Sequence, residues 1–121
     1  MSQASWQDKI IDSLKIPQGS HQIWWMCEEE HLHGREQFLK LLDDVVVYHH
    51  GDIVDNVISK YKKQRVVVFC VLGADSPRNL DMVKYYVRNF KNGYLFDQHR
   101  GVLLFKPPQV IVFADFAAPD F

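Results

Sequence analysis

Residues Val66-Val67-Val68-Phe69-Cys70-Val71-Leu72 run without a polar interruption and are mostly β-branched or aromatic. A half-exposed strand alternates apolar with polar, so a continuous run marks a strand covered on both faces. Covering both faces takes helices above and below, which narrows the fold to the α/β class. Ile23 to Cys27, Val45 to His49 and Val110 to Ala114 are shorter runs of the same kind. Between the runs, apolar residues fall at helical spacing. Trp6, Ile10, Ile11 and Leu14 mark a first helix from Ser5 to Lys15, ended by Pro17 and Gly19. Phe38, Leu39, Leu41 and Leu42 mark a short second helix from Arg35 to Leu42. Gly51-Asp52 caps a third, with Ile53, Val54, Val57, Ile58 and Tyr61 on one face. Leu80, Val83, Tyr86, Val87 and Phe90 mark a fourth. The alternation predicts a three-layer fold: a parallel sheet of about four core strands with helices on both faces.

The remaining segments are punctuation. Asp43-Asp44 turns the chain into the second strand, Lys60 to Arg65 is a basic turn, and Ala74 to Arg78 reads as a loop. Lys91-Asn92-Gly93 is a helix stop with Gly93 just past the end. Tyr94-Leu95-Phe96 and Val102 to Phe105 pair as a hairpin across Asp97 to Gly101, and Pro107-Pro108 breaks the chain before the last strand. The tail from Asp115 to Phe121 reads as coil.

At 121 residues and 47% apolar composition the chain is expected to form one domain with a real core. Fourteen basic and fifteen acidic residues leave a net charge of −1, so bulk electrostatics predict no strong attraction to nucleic acid or membrane. No run reaches the length of a membrane span and the N-terminus lacks a secretory apolar core, so an intracellular protein of nucleus or cytoplasm is expected. Cys27 and Cys70 both lie in apolar runs and read as buried, reduced thiols.

Between the first strand and the second helix stands Glu29-Glu30-His31-Leu32-His33-Gly34-Arg35-Glu36. This is the frame of a phosphate-binding loop, G-x-x-x-x-G-K-[ST], with only Gly34 unchanged. Such loops work because glycines let backbone N–H groups close on the phosphates. A β-carbon at position 29 obstructs that approach, and the carboxylates of Glu28, Glu29, Glu30 and Glu36 are expected to repel the ligand. At an effective dielectric near 20, a carboxylate about 4 Å from a phosphate charge costs on the order of 4 kcal/mol. Two of them would cancel the roughly 8 kcal/mol of a micromolar complex. Arg35 keeps a positive charge but replaces a slim ammonium with a wide fork. His31-x-His33 and His49-His50, with Cys27, Cys70 and the glutamates, also have the residue types of a metal site, against which stands the plainer reading of solvated histidines.

The order of these pieces resembles the superfamily 3 helicase domain, a P-loop NTPase, of the replication initiators (Rep proteins) of circular single-stranded DNA viruses. Ser5-Trp6-Gln7 with Ile10, Ile11 and Leu14 resembles that domain's opening helix, and Ile23-Trp24-Trp25 the strand before its phosphate loop. The most specific words are Lys91-Asn92-Gly93-Tyr94-Leu95-Phe96 and Phe105-Lys106-Pro107-Pro108-Gln109-Val110-Ile111-Val112-Phe113-Ala114-Asp115-Phe116. The family pattern there is a lysine-rich hairpin, a proline-bearing approach and an apolar strand ending in Asn. The resemblance implies that Glu29, Gly34, Arg35 and Glu36 occupy the nucleotide-loop positions. It puts Cys70 near the second-motif carboxylate that holds magnesium, and Asp115 at the Asn that senses the terminal phosphate. The family's last core strand and arginine finger have no counterpart here.

The resemblance also implies a strand order in which strand one lies three steps from strand two and two steps from strand three. At about 4.8 Å per step, strands one and two are then roughly 14 Å apart, too far for one metal ion to bridge their histidines, and a Cys27–Cys70 disulfide is disfavoured. The missing final strand would leave Ile23 to Cys27 as a bare edge and a route to self-association. In the family the hairpin faces single-stranded DNA, and Lys91, Tyr94, His99, Arg100 and Lys106 suit weak phosphate contact and base stacking. A solvated turn is the plainer alternative, as it is for Lys60, Lys62, Lys63 and Arg65 at a helix end. The expectation is a non-catalytic interaction module without cofactor or metal, a degenerate remnant of a replication helicase domain. Its partners would be an active initiator, a second copy, or DNA bound weakly. The alternative is an NTP-dependent helicase fragment using ATP and magnesium through divergent motifs.

Overall fold

The computed structural model describes residues 6–14, 23–49, 57–71 and 77–118. Along the chain these form α1 (Trp6–Leu14), β1 (Ile23–Met26), α2 (Glu29–His33), α3 (Arg35–Lys40), β2 (Val45–Tyr48), α4 (Val57–Lys60), β3 (Val66–Val71), α5 (Pro77–Asn92), β4 (Tyr94–Asp97), β5 (Gly101–Leu104) and β6 (Gln109–Ala114). Four strands make one sheet in the order β1-β6-β3-β2, and every pair in it is parallel. β4 and β5 form a separate antiparallel hairpin.

The sheet is the middle of three layers, and strict alternation of side chains sets the other two. Val46, Tyr48, Val67, Phe69, Val71, Val110, Val112 and Ala114 point to one face, where they meet Val57 and Tyr61, then Val83, Val87 and Phe90 of α5, and Leu95 of β4. Met26, Val66, Val68, Cys70, Ile111 and Phe113 point to the other face, toward Ile10 of α1 and Phe38 of α3. Every residue of β3 and of β6 is buried, which is why β3, and β6 after Gln109, read as unbroken apolar runs.

Strand β1 lies three steps from β2 and two from β3, as the resemblance implied. Both cysteines are free, although Cys27 is half-buried rather than buried. The fourth helix is longer than apolar spacing showed: it begins at Pro77, whose fixed φ suits a first helical turn, so Pro77 and Arg78 are not loop. The Gly51-Asp52 cap, Ile53 and Val54 of the third helix lie outside the described residues, as do the Pro17 and Gly19 stops.

Gly93 ends α5 with φ +78, accepts the Phe105 N–H on its carbonyl at 3.0 Å, and so aims β4 back along the helix. Asp44 takes φ +53 at the turn into β2, a conformation aspartate tolerates. Its carboxylate accepts the Arg65 N–H and its carbonyl accepts the Val66 N–H, which ties the start of β3 to the start of β2.

Candidate functional site

The C-terminal ends of parallel strands are where α/β folds bind ligands. The positions that the resemblance assigned to nucleotide motifs lie at this edge of the sheet. Glu29 to Glu36 follow β1, Asp115 follows β6, and Cys70 is the penultimate residue of β3. Burial pushes the Cys70 thiol up to about 11, and the positive charge of Arg35 pulls the other way, so those two side chains sense each other. Asp115 is exposed at the end of its strand.

The segment between β1 and α3 is not an open loop. Glu29–His33 is helical, and Gly34 joins it to α3 with φ −87 and ψ 2, a backbone that any residue can adopt. Part of its backbone is engaged within the chain. His31 and Leu32 donate to the Glu28 carbonyl at 3.0 and 3.2 Å, and Phe38 donates to the Gly34 carbonyl at 3.0 Å. Helix α1 clamps the segment from outside. Gln7 Nε2 donates to the Gly34 carbonyl at 3.2 Å, and the Trp6 indole meets the His31 ring edge-on at 5.1 Å. Trp6 also packs on Phe38 and Phe113, which fixes α1 against α3 and β6.

This geometry corrects the expected role of the glutamates. Glu28, Glu29 and Glu36 are exposed, and the Glu29 side chain is 87% accessible beside His33 at 3.8 Å. Charges so exposed are screened by water, so the several-kilocalorie repulsion expected of each is not theirs to exert. Among the described residues, no three His, Cys, Asp or Glu side chains gather as metal ligands. His31 is instead held by its ring contact with Trp6 and accepts the Glu28 N–H on Nδ1 at 3.3 Å.

The hairpin is a second candidate. Tyr94 opposes Leu104 and Phe96 opposes Val102, which puts all four on one face, where they are 38, 69, 53 and 57% exposed respectively. The other face carries Leu95, fully buried, and Leu103. Of the expected cations, His99 and Arg100 stand at the tip, while Lys91 and Lys106 flank the base, all exposed. Tip and base are separated by the length of a four-residue strand, about 10 Å. Arg100 lies 3.7 Å from Asp97, whose other oxygen accepts the His99 N–H, so the tip's positive charge is partly offset.

The basic turn was misread as uniformly solvated. Lys60 is half-buried; its ammonium donates to the Val47 carbonyl at 3.0 Å and lies 5.7 Å from the centre of the Tyr48 ring. Tyr48 in turn donates its hydroxyl to the Val57 carbonyl at 2.7 Å, fastening the end of β2 to α4. Arg65 reaches the Leu14 carbonyl at 3.1 Å. The only sequence signal for these inward contacts was the position of Lys60 one residue before Tyr61, at the end of an apolar face.

No protein-family model, curated protein or solved structure matches this chain. Among the described residues no helix is long and apolar enough to cross a membrane.

Proposed function

We propose that this chain is a non-catalytic interaction module, built on the plan of a superfamily 3 helicase domain of a viral replication initiator whose nucleotide site has been lost. The strand order β1-β6-β3-β2, with a hairpin inserted between α5 and β6, supports that descent. The helical state of Glu29–His33 carries the functional half of the reading. Phosphoryl transfer depends on positioned backbone donors, positive charge and a held magnesium ion. Here the His31 and Leu32 donors close helical hydrogen bonds, a glutamate stands at the position of the magnesium-binding hydroxyl, and Cys70 offers a buried thiol where a carboxylate is needed.

The module acts through its surfaces. The hairpin's exposed Tyr94 and Phe96, with cations at both ends, suit weak stacking on single-stranded DNA, lost as salt rises. Among the described residues β1 pairs on one side only, and it is the proposed route to a second copy or to an active initiator.

Titration with ATP and magnesium, followed calorimetrically and by melting temperature, tests the loss of the nucleotide site. No heat and no shift are expected. Magnesium-dependent hydrolysis abolished by Gly34→Pro would establish the divergent helicase reading instead. Mixing with an active initiator and measuring its ATPase tests the partner; unchanged turnover without co-assembly removes the initiator from the proposal.

A further inference from the structure

The hairpin has a side apart from its exposed face. β5 pairs with β4 alone among the described residues, so alternate N–H and C=O groups along Gly101–Leu104 are directed away from it. Gly101, Val102 and Leu103 of β5 lie across from the turn after α4. Between them runs a groove of about 390 Å³ lined by Ile58, Tyr61, Lys62, Lys63, Arg100 and Leu103. A neighbouring hollow shares Tyr61 and Lys63 and carries the groove on to Phe105 and Lys106.

Floor and rim differ in chemistry. Ile58, Leu103 and Phe105 make an apolar floor with Tyr61. The Tyr61 ring is 5% exposed and already meets Phe90 and Phe105 edge-to-face at 5.0 and 4.9 Å, so no open ring is offered to a nucleobase. Lys62, Lys63, Arg100 and Lys106 stand exposed around the rim. Asp97, 3.7 Å from Arg100, is the one carboxylate among the groove's lining residues.

We propose that this groove receives an extended acidic peptide of a protein partner, added as a third strand to β5. An open edge supplies backbone hydrogen bonds, and the two-residue period of a strand turns apolar side chains to the floor while carboxylates meet the rim. A second copy pairing β5 on β5 would set these lysines against their own equivalents, a like-charge arrangement that disfavours it. The proposal rests on reading the chain as an interaction module and is independent of its ancestry.

Fluorescence polarisation on the full chain, with a labelled short peptide alternating Glu and Val, tests it. Saturable binding that weakens with salt is expected, together with no binding of the Lys/Val counterpart. Methylating alternate peptide nitrogens should abolish it, as strand addition requires. Lys62→Glu with Lys63→Glu should weaken it roughly tenfold. Lys62→Gln with Lys63→Gln, which adds no repulsion, should give a smaller loss in the same direction. Equal affinity for the Lys/Val peptide, indifference to N-methylation, or displacement of the peptide by oligothymidylate with tighter binding at the same lysines would each overturn the proposal. ATP binding would sink the non-catalytic reading while leaving a positive peptide result intact, so the two failures are distinguishable.

Discussion

Two glycines with nearly the same backbone show how much a single position can carry. Gly93 and Gly101 have φ +78 and +80. A β-carbon at Gly93 would stand 2.6 Å from the Phe105 carbonyl oxygen, whereas one at Gly101 meets nothing within 4 Å. Left-handed backbone costs an ordinary residue about 1–2 kcal/mol. Gly101→Ala should therefore lose about that much and Gly93→Ala measurably more, because the end of α5 and the base of the hairpin must separate; urea denaturation of the two variants checks the ranking. Titration gives a second prediction at this scale. Burial raises Cys70 from 9.0 to about 11 and, helped by the charge of Asp44, raises Tyr61 from 10.0 to about 12. Tyr86 moves the same way through burial and then Tyr85. For each group the folded chain keeps a proton that the unfolded chain gives up, so their contribution to stability is full below about pH 9 and falls from there toward 12. Melting temperature against pH should show that decline, and Tyr61→Phe with Cys70→Ala should make it shallower.

Among the elements, α2 decides the functional reading. If exposed carboxylates were what excluded nucleotide, Glu29→Ala with Glu36→Ser would restore binding, since both charges go and helix-compatible residues remain. With the His31 and Leu32 amides committed inside α2 and the segment clamped by Trp6 and Gln7, that double variant should show no ATP-dependent rise in melting temperature. A rise would return the exclusion to electrostatics. The same element marks where sequence reading stopped. The β3 strand was legible because burial on both faces leaves nothing polar in it, and α5 because Val83, Val87 and Phe90 repeat on one face. A five-residue helix has too few residues to display a period. A motif frame there pointed to a loop, while Trp6, some two dozen residues earlier, supplies the ring that braces its middle. The hairpin was legible from Gly93 and its alternation, but the split of its cations between tip and base follows from the register.

At the scale of the molecule β1 and β2 are the outer strands of the sheet, and among the described residues β1 pairs with β6 alone. Trp25 is anchored on one face, its indole N–H donating to the Phe116 carbonyl at 2.9 Å. Trp24 packs on the other face, its indole nitrogen buried without a hydrogen-bond partner among the described residues. The indoles thus cover the faces of the sheet and not the edge between them. Sedimentation at rising concentration should show reversible association through that edge; a strictly monomeric boundary at high concentration would remove self-association from the proposal.

Local pattern alone determined the α/β class, the four core strands, the helix stop at Gly93 and the hairpin, because each depends on residues adjacent in the chain or spaced by a fixed period. Only the tertiary structure decided that the residues after β1 coil into a helix, that Glu28, Glu29 and Glu36 face water, and that Lys60 turns inward to β2. Those outcomes depend on which distant side chain or carbonyl lies within a few ångströms, and short apolar or charged words do not encode that distance.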